Sequence, residues 1–241
     1  MPVRNYTKLP RFLNALAGGL SLPPDCVPEV CSGKPLQIKN ASMLIKASRI
    51  TNLTDARYFA AKEVDFLGFN LEEGTEDYLD PIYMKAIREW VEGPQIVGEF
   101  SASSADVVRE YASFFGLDAV QVQASSLSGL SKLEGLTVIL ETGISDGPVA
   151  LERLFMEARS FVAYFLVRFP SADALLQDAG FWKKCCDSYP VMLEIDASVE
   201  QLQKVLEIVA PAGLSFAGGD EERVGVKSFD EIEAVFELLG R

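Results

Sequence analysis

The 241-residue chain contains no histidine. That absence removes Ser-His and Cys-His nucleophile pairs, imidazole general bases and His-ligated zinc together. Cysteine is scarce: Cys26, Cys31, Cys185 and Cys186 match neither a zinc ribbon nor a CxxC redox pair, and a chain of this length needs no disulfide scaffold. No metal and no cofactor is therefore expected. No apolar run approaches the ~20 residues of a membrane-spanning helix, and no basic-then-apolar leader with a small-residue cleavage site is present. The expectation is a cytoplasmic protein with no membrane partner. Positive charge is also short. Basic side chains number 22 against 35 acidic ones, for a net charge of -13; residues 1–41 hold five of the basic and two of the acidic groups, leaving 17 against 33 for residues 42–241. A field of that sign repels nucleic acid and anionic lipid and gives a phosphate-bearing ligand no general help, although a local pocket can override it.

What is present is alternation. From residue 43, short β-rich apolar runs stand at 43–48 (MLIKAS), 65–70 (DFLGFN), 95–100 (QIVGEF), 118–123 (DAVQVQ), 136–141 (LTVILE), 161–167 (FVAYFLV), 190–195 (PVMLEI) and 213–218 (GLSFAG). Amphipathic segments lie between and after them, at 54–63, 80–92, 103–115, 148–160, 172–186, 198–210 and 229–239; the one at 125–135 is weak as a helix. Thr54, Ser103 or Ser104, Asp196 or Ser198, and Ser228 are the expected helix caps, and Gly93, Gly116 and Gly213 fall where helices hand over to strands. Eight strand-helix units in about 200 residues predict an α/β fold, a (β/α)8 TIM barrel over residues 42–241. An open doubly wound sheet fits the alternation but does not ask for eight units.

Residues 1–41 form an N-terminal extension of opposite charge. Leu9, Phe12, Leu13, Leu16 and Leu20 make a roughly helical stripe, and the proline-rich SLPPDCVPEVCSGKP that follows cannot continue a helix. A basic docking helix on an acidic barrel is expected, acting in cis or as the contact of a homodimer or protein partner.

In such a barrel the C-terminal strand ends carry any active site. The candidates this rule selects are Lys46, Ser48 and Arg49, Asn70 and Glu72, Glu99 and Ser101, Gln121 and Gln123, Glu141, Val167 and Arg168, Glu194 and Asp196, and Gly218 with Gly219. The rim is rich in carboxylates. Asp196 is expected to be a solvated carboxylate or a helix cap, Lys46 a buried, paired lysine, and Ser48 a small filler.

The stretch IKASRITNLTDARYFAAKEVDFLGFN at 45–70 resembles the opening of the phosphoribosylanthranilate isomerase family, whose first strand runs K-x-C-G-I-T. Lys46, Ile50, Thr51, Asp55, Ala56, Gly68 and Phe69 match, and VGEF at 97–100, GLDAVQVQ at 116–123 and residues 213–239 follow in register. The resemblance spans 43–241 and is faint between 124 and 190. It implies a tryptophan-biosynthesis barrel performing an Amadori rearrangement, an intramolecular isomerisation that needs a general acid to open the ribose ring and a general base to take the C2′ proton.

The chain departs from the family at the residues that do this. The family's cysteine base aligns with Ser48, whose hydroxyl is far less acidic than a thiol of pKa about 8.5. The family's aspartate acid aligns with Val167 or, after a one-residue slip, Arg168. A ligand-binding arginine after the second strand becomes Asp77, the G-G-T-G phosphate loop after the sixth strand is missing, and a histidine after the fourth becomes Gln123. Gly218 and Gly219 keep backbone N–H groups that an anion would use. Three readings follow: a pseudoenzyme that binds a small molecule or regulates, an enzyme of different chemistry at an acidic mouth, or an active isomerase with relocated proton-transfer groups.

Overall fold

The computed structural model describes residues 43–217, 221–223, 226–227 and 230–240. The expected docking helix and Pro-rich linker of residues 1–41, Cys26, Cys31, the Ser228 cap, and Gly218 with Gly219 lie outside the described residues.

Eight parallel strands close into a barrel in sequence order: β1 (Leu44–Ser48), β2 (Phe66–Asn70), β3 (Gln95–Phe100), β4 (Ala119–Gln123), β5 (Thr137–Thr142), β6 (Tyr164–Phe169), β7 (Val191–Ile195) and β8 (Gly213–Ala217). Closure is made by β1 against β8, with Lys46 opposite Ser215 and Ser48 opposite Ala217. The predicted (β/α)8 barrel is the observed fold.

The period of two along each strand sorts the side chains into two apolar layers. Phe66, Val97, Ala119, Ile139, Leu166 and Met192 fill the lower barrel interior. The intervening residues, among them Ile45, Leu67, Val120, Leu140, Phe165, Val167 and Leu193, turn outward and pack with the helices in a larger core that includes Phe59, Met84, Phe155, Trp182 and Val205. Both layers are closed to water, so polar side chains that point inward have room only above the lower layer.

The helices that cover the sheet are α1 (Leu53–Ala61), α2 (Pro81–Arg88), α3 (Ala105–Phe115), α4 (Gly147–Ala158), α5 (Ala172–Leu176), α6 (Ala179–Ser188), α7 (Val199–Val209) and α8 (Asp230–Leu239). Their starts follow capping chemistry. Asp80 caps α2 with Pro81 in the first turn, Ser104 caps α3, and Ser198 with Gln201 forms a capping box on α7. Gly116 ends α3 in the left-handed conformation at φ 63°.

Four local features refine the pattern read from periodicity. Asn52, not Thr54, caps α1, accepting the Asp55 N–H at 2.9 Å. The weak helix after β4 is a 3-10 helix over Ala124–Leu133. The segment 172–186 is broken into α5 and α6. An antiparallel pair, β9 (Glu221–Arg223) with β10 (Val226–Lys227), stands between β8 and α8 and was not foreseen.

Candidate functional site

The inward positions at the C-terminal strand ends are polar on nearly every strand, and they join into a belt. It starts at Glu99 on β3, whose carboxylate pairs with Lys46 of β1. Both are buried, Lys46 completely. The intervening strand β2 presents Gly68, where a Cβ would overlap Glu99 Oε1 and lie 2.7 Å from Lys46 Nζ. The glycine leaves the space through which β1 and β3 meet across β2.

From Lys46 the belt continues the other way around the barrel. Lys46 Nζ donates to the Ser48 hydroxyl at 2.5 Å, Ser48 lies 2.7 Å from the Ser215 hydroxyl on β8, and Ser215 donates to Glu194 Oε2 on β7 at 3.0 Å. With the ammonium a pure donor and the carboxylate an acceptor, both serine protons run toward Glu194: Ser215 donates to it directly, and Ser48 donates to Ser215 or, at 3.5 Å, to Glu194 Oε2 itself. Ser48 is more than a filler, because its single proton is committed. Arg168 of β6 then bridges Glu194 and Glu141, 3.2 Å from an oxygen of each, and Glu141 Oε2 on β5 accepts from Gln121 Nε2 on β4 at 2.7 Å. Seven strands contribute.

Above the belt lies a cavity of about 460 Å³, lined by Arg49, Asn70, Thr75, Glu76, Asp77, Glu99, Phe100, Ser101, Gln121, Gln123, Glu141 and Arg168. Arg49 stands at the family's glycine position and keeps a left-handed backbone, φ 53°. Its side chain pairs with Glu194 at 3.2 Å and approaches Asp77 to 3.9 Å. Asp77 is itself left-handed, at φ 60°, a conformation that costs a non-glycine residue roughly 1 kcal/mol. Glu72 does not line the cavity; it clamps its wall, accepting the backbone N–H groups of Ser101, Ala102 and Ser103 and the Ser103 hydroxyl.

Two carboxyls are shifted in opposite directions. Burial pushes Glu141 above its ordinary value, against the pull of Arg168 and the Gln121 hydrogen bond, while Glu99 and Glu194 add to the rise. Burial also pushes Glu72 up, but the N–H groups of Ala102, Ser103 and Ser101 and the Ser103 hydroxyl outweigh it and hold the carboxyl below its usual range.

Of the residues selected from the sequence, Arg49, Asn70, Glu99, Ser101, Gln121, Gln123, Glu141 and Arg168 meet at the cavity, with Lys46, Ser48 and Glu194 directly beneath in the belt. Asp196 is exposed outside it. Val167 faces outward into the helix-packed core, so Arg168 is the β6 side chain at the mouth. Thr75, Glu76 and Ser215 were missed. Ser215 was legible, being two residues in from the end of β8 and of the same parity as Lys46; Thr75 and Glu76 sit in a loop whose path no periodicity reports.

The molecule is thus a parallel (β/α)8 barrel with a polar, ion-paired site at the C-terminal mouth. No family model matches the chain. An N-(5'-phosphoribosyl)anthranilate isomerase of Maridesulfovibrio salexigens is 24% identical over 213 residues, which take in 83% of this chain and all of that protein. The phosphoribosylanthranilate isomerase structure from Thermotoga maritima superposes with a TM-score of 0.67 at 22% identity, over 82% of this chain and 98% of that one. The one from Thermus thermophilus does so with a TM-score of 0.62 at 23% identity and the same coverage. The chain thus resembles phosphoribosylanthranilate isomerases in sequence along most of its length, at low identity, and shares their fold.

Proposed function

We propose that this barrel is a pseudoenzyme of the isomerase type, a small-molecule binder or regulator that no longer carries out the Amadori rearrangement. The observation that carries the reading is the commitment of the two family proton-transfer positions. Ser48 accepts a hydrogen bond from Lys46 and directs its own O–H toward Ser215 and Glu194, and Arg168 is held between Glu141 and Glu194. A serine in that chain is not an anionic base near neutrality, and a guanidinium is not an acid there. Losing a positioned acid or base typically costs about 10²–10⁴ in rate each. Phosphate anchoring is weakened as well, since Glu76, Asp77, Glu99 and Glu141 share the cavity with Arg49 and Arg168, both already paired.

The test is turnover of phosphoribosylanthranilate by the purified full chain, with complementation of a tryptophan auxotroph lacking the isomerase. Neither is expected above background. Ser48→Cys with Arg168→Asp is expected not to restore turnover, because Asp77, Glu141 and Glu194 still oppose a phosphate dianion. Robust turnover by the unaltered protein would overturn the reading. One observation favours the alternative of retained proton-transfer chemistry: Glu141 has a raised pKa and lines the cavity, as a general acid requires. If turnover is found, Glu141→Gln is the variant expected to abolish it.

A further inference from the structure

The belt at the barrel mouth is closed at every joint but the one between β4 and β3. Glu99 and Gln121 are register partners on these strands, both face inward, and both line the cavity. Gln121 donates its amide to Glu141, which leaves its carbonyl Oε1 as the free end of the belt. That oxygen is buried on a side chain only 2% exposed, and no hydrogen-bond partner meets it. An unmet buried acceptor costs about as much as a lost hydrogen bond, so the site is built for a donor that the described residues do not supply.

The surrounding charge states what kind of donor. Around and beneath the cavity stand Lys46, Arg49 and Arg168, each already ion-paired, against the five carboxylates of Glu76, Asp77, Glu99, Glu141 and Glu194. Asn70 has also spent its amide, on Thr75 and the Glu76 carbonyl. Arg168 Nε is a buried donor that also lacks a hydrogen-bond partner, but it stands 3.2 Å from Glu194 Oε1 within an ion pair, and the described charges sum to an excess of carboxylate. Among the described residues no group of three or more His, Cys, Asp or Glu is arranged to hold a metal ion, which favours an organic cation over a metal. The volume of about 460 Å³ lies within the ~300–1,000 Å³ of small-molecule sites.

We propose that the mouth binds a small organic cation, an alkylamine or guanidinium compound, whose N–H group closes the belt between Gln121 Oε1 and Glu99. This rests on the reading of the barrel as a binder, and it reverses the charge of ligand that the family resemblance implies. The carboxylates that disfavour a phosphate are then what holds the ligand.

The test is isothermal titration calorimetry of the full chain at about 150 mM salt, where nonspecific surface attraction is screened. Agmatine and putrescine are the probes, with ribose, ribose 5-phosphate and inorganic phosphate as comparisons. A single-site isotherm is expected for at least one amine and none for the phosphates. Gln121→Leu and Glu141→Gln are each expected to weaken binding by about fivefold or more, as loss of one buried hydrogen bond or charge contact requires. Glu152→Gln, on the exposed face of α4 where it pairs with Lys184, is expected to leave it unchanged. Should a buried variant fail to melt cooperatively, Glu76→Gln at the rim serves, with a weaker affinity expected. Amines that bind no better than ribose, binding insensitive to these substitutions, or tighter binding of a phosphate ester would each overturn the proposal. Isomerase turnover on the same preparation separates the failures. Turnover sinks the binder reading, whereas absent turnover with absent amine binding sinks only the cation.

Discussion

Gly68→Ala is the most direct probe of how the mouth is built. In a strand, replacing glycine by alanine ordinarily gains about 0.5–1 kcal/mol through the reduced entropy of the unfolded chain. Here the sign should reverse. The added methyl overlaps Glu99 Oε1 and crowds Lys46 Nζ, and that pair is enclosed, with Lys46 wholly buried and Glu99 only 5% exposed. Neither group can retreat to water, so the pair must separate within the interior. Breaking a buried pair typically costs about 3–5 kcal/mol, because a charge is left uncompensated. Net of the glycine term, the expected destabilisation is about 2–4 kcal/mol, or roughly 1–2 M in urea midpoint for a slope of about 2–3 kcal/mol per M. Urea unfolding followed by circular dichroism measures it. Replacing the pair as well, in Gly68→Ala/Lys46→Met/Glu99→Leu, should recover most of the loss, since an apolar set of similar volume needs no compensation. A single variant as stable as the parent, or a triple variant worse than the single, would refute the argument that Gly68 exists to admit the pair.

Other outcomes are equally specific. Glu141 titrates above its ordinary 4.5 in the fold, so its contribution to stability is full below that value and is lost as pH rises through the folded pKa; the stability difference between Glu141→Gln and the parent should move in favour of the variant over that rise, and a flat difference would contradict it. Glu72 has the opposite sign, with stability present above 4.5 and lost as pH falls through its lowered folded value. Glu72→Gln should therefore cost about 1–2 kcal/mol at neutral pH and progressively less in acid, and it should speed hydrogen exchange of the Ser101–Ser103 amides; unchanged exchange would remove Glu72 as the clamp of that loop.

The sequence by itself determined the number of strand-helix units, and hence a barrel, because hydrophobic periodicity is a local property that each segment carries alone. Its missing histidine and the inward parity of Lys46, Glu99, Gln121, Glu141 and Glu194 were likewise readable, so the polar character of the mouth was legible. Parity failed once. The alignment left Val167 and Arg168 open, and only the packing of Val167 against the helices assigned Arg168 to the cavity. Tertiary structure alone decided the partners. That Lys46 reaches Glu99 depends on an absent side chain at Gly68, that Ser48 meets Ser215 depends on β8 closing on β1, and that Gln121 Oε1 is left unmet depends on its amide being turned to Glu141. Each of these contacts joins residues from different strands, 21 to 167 positions apart for those of Ser215, and its geometry is set by the stagger with which the sheet closes, which no segment encodes by itself.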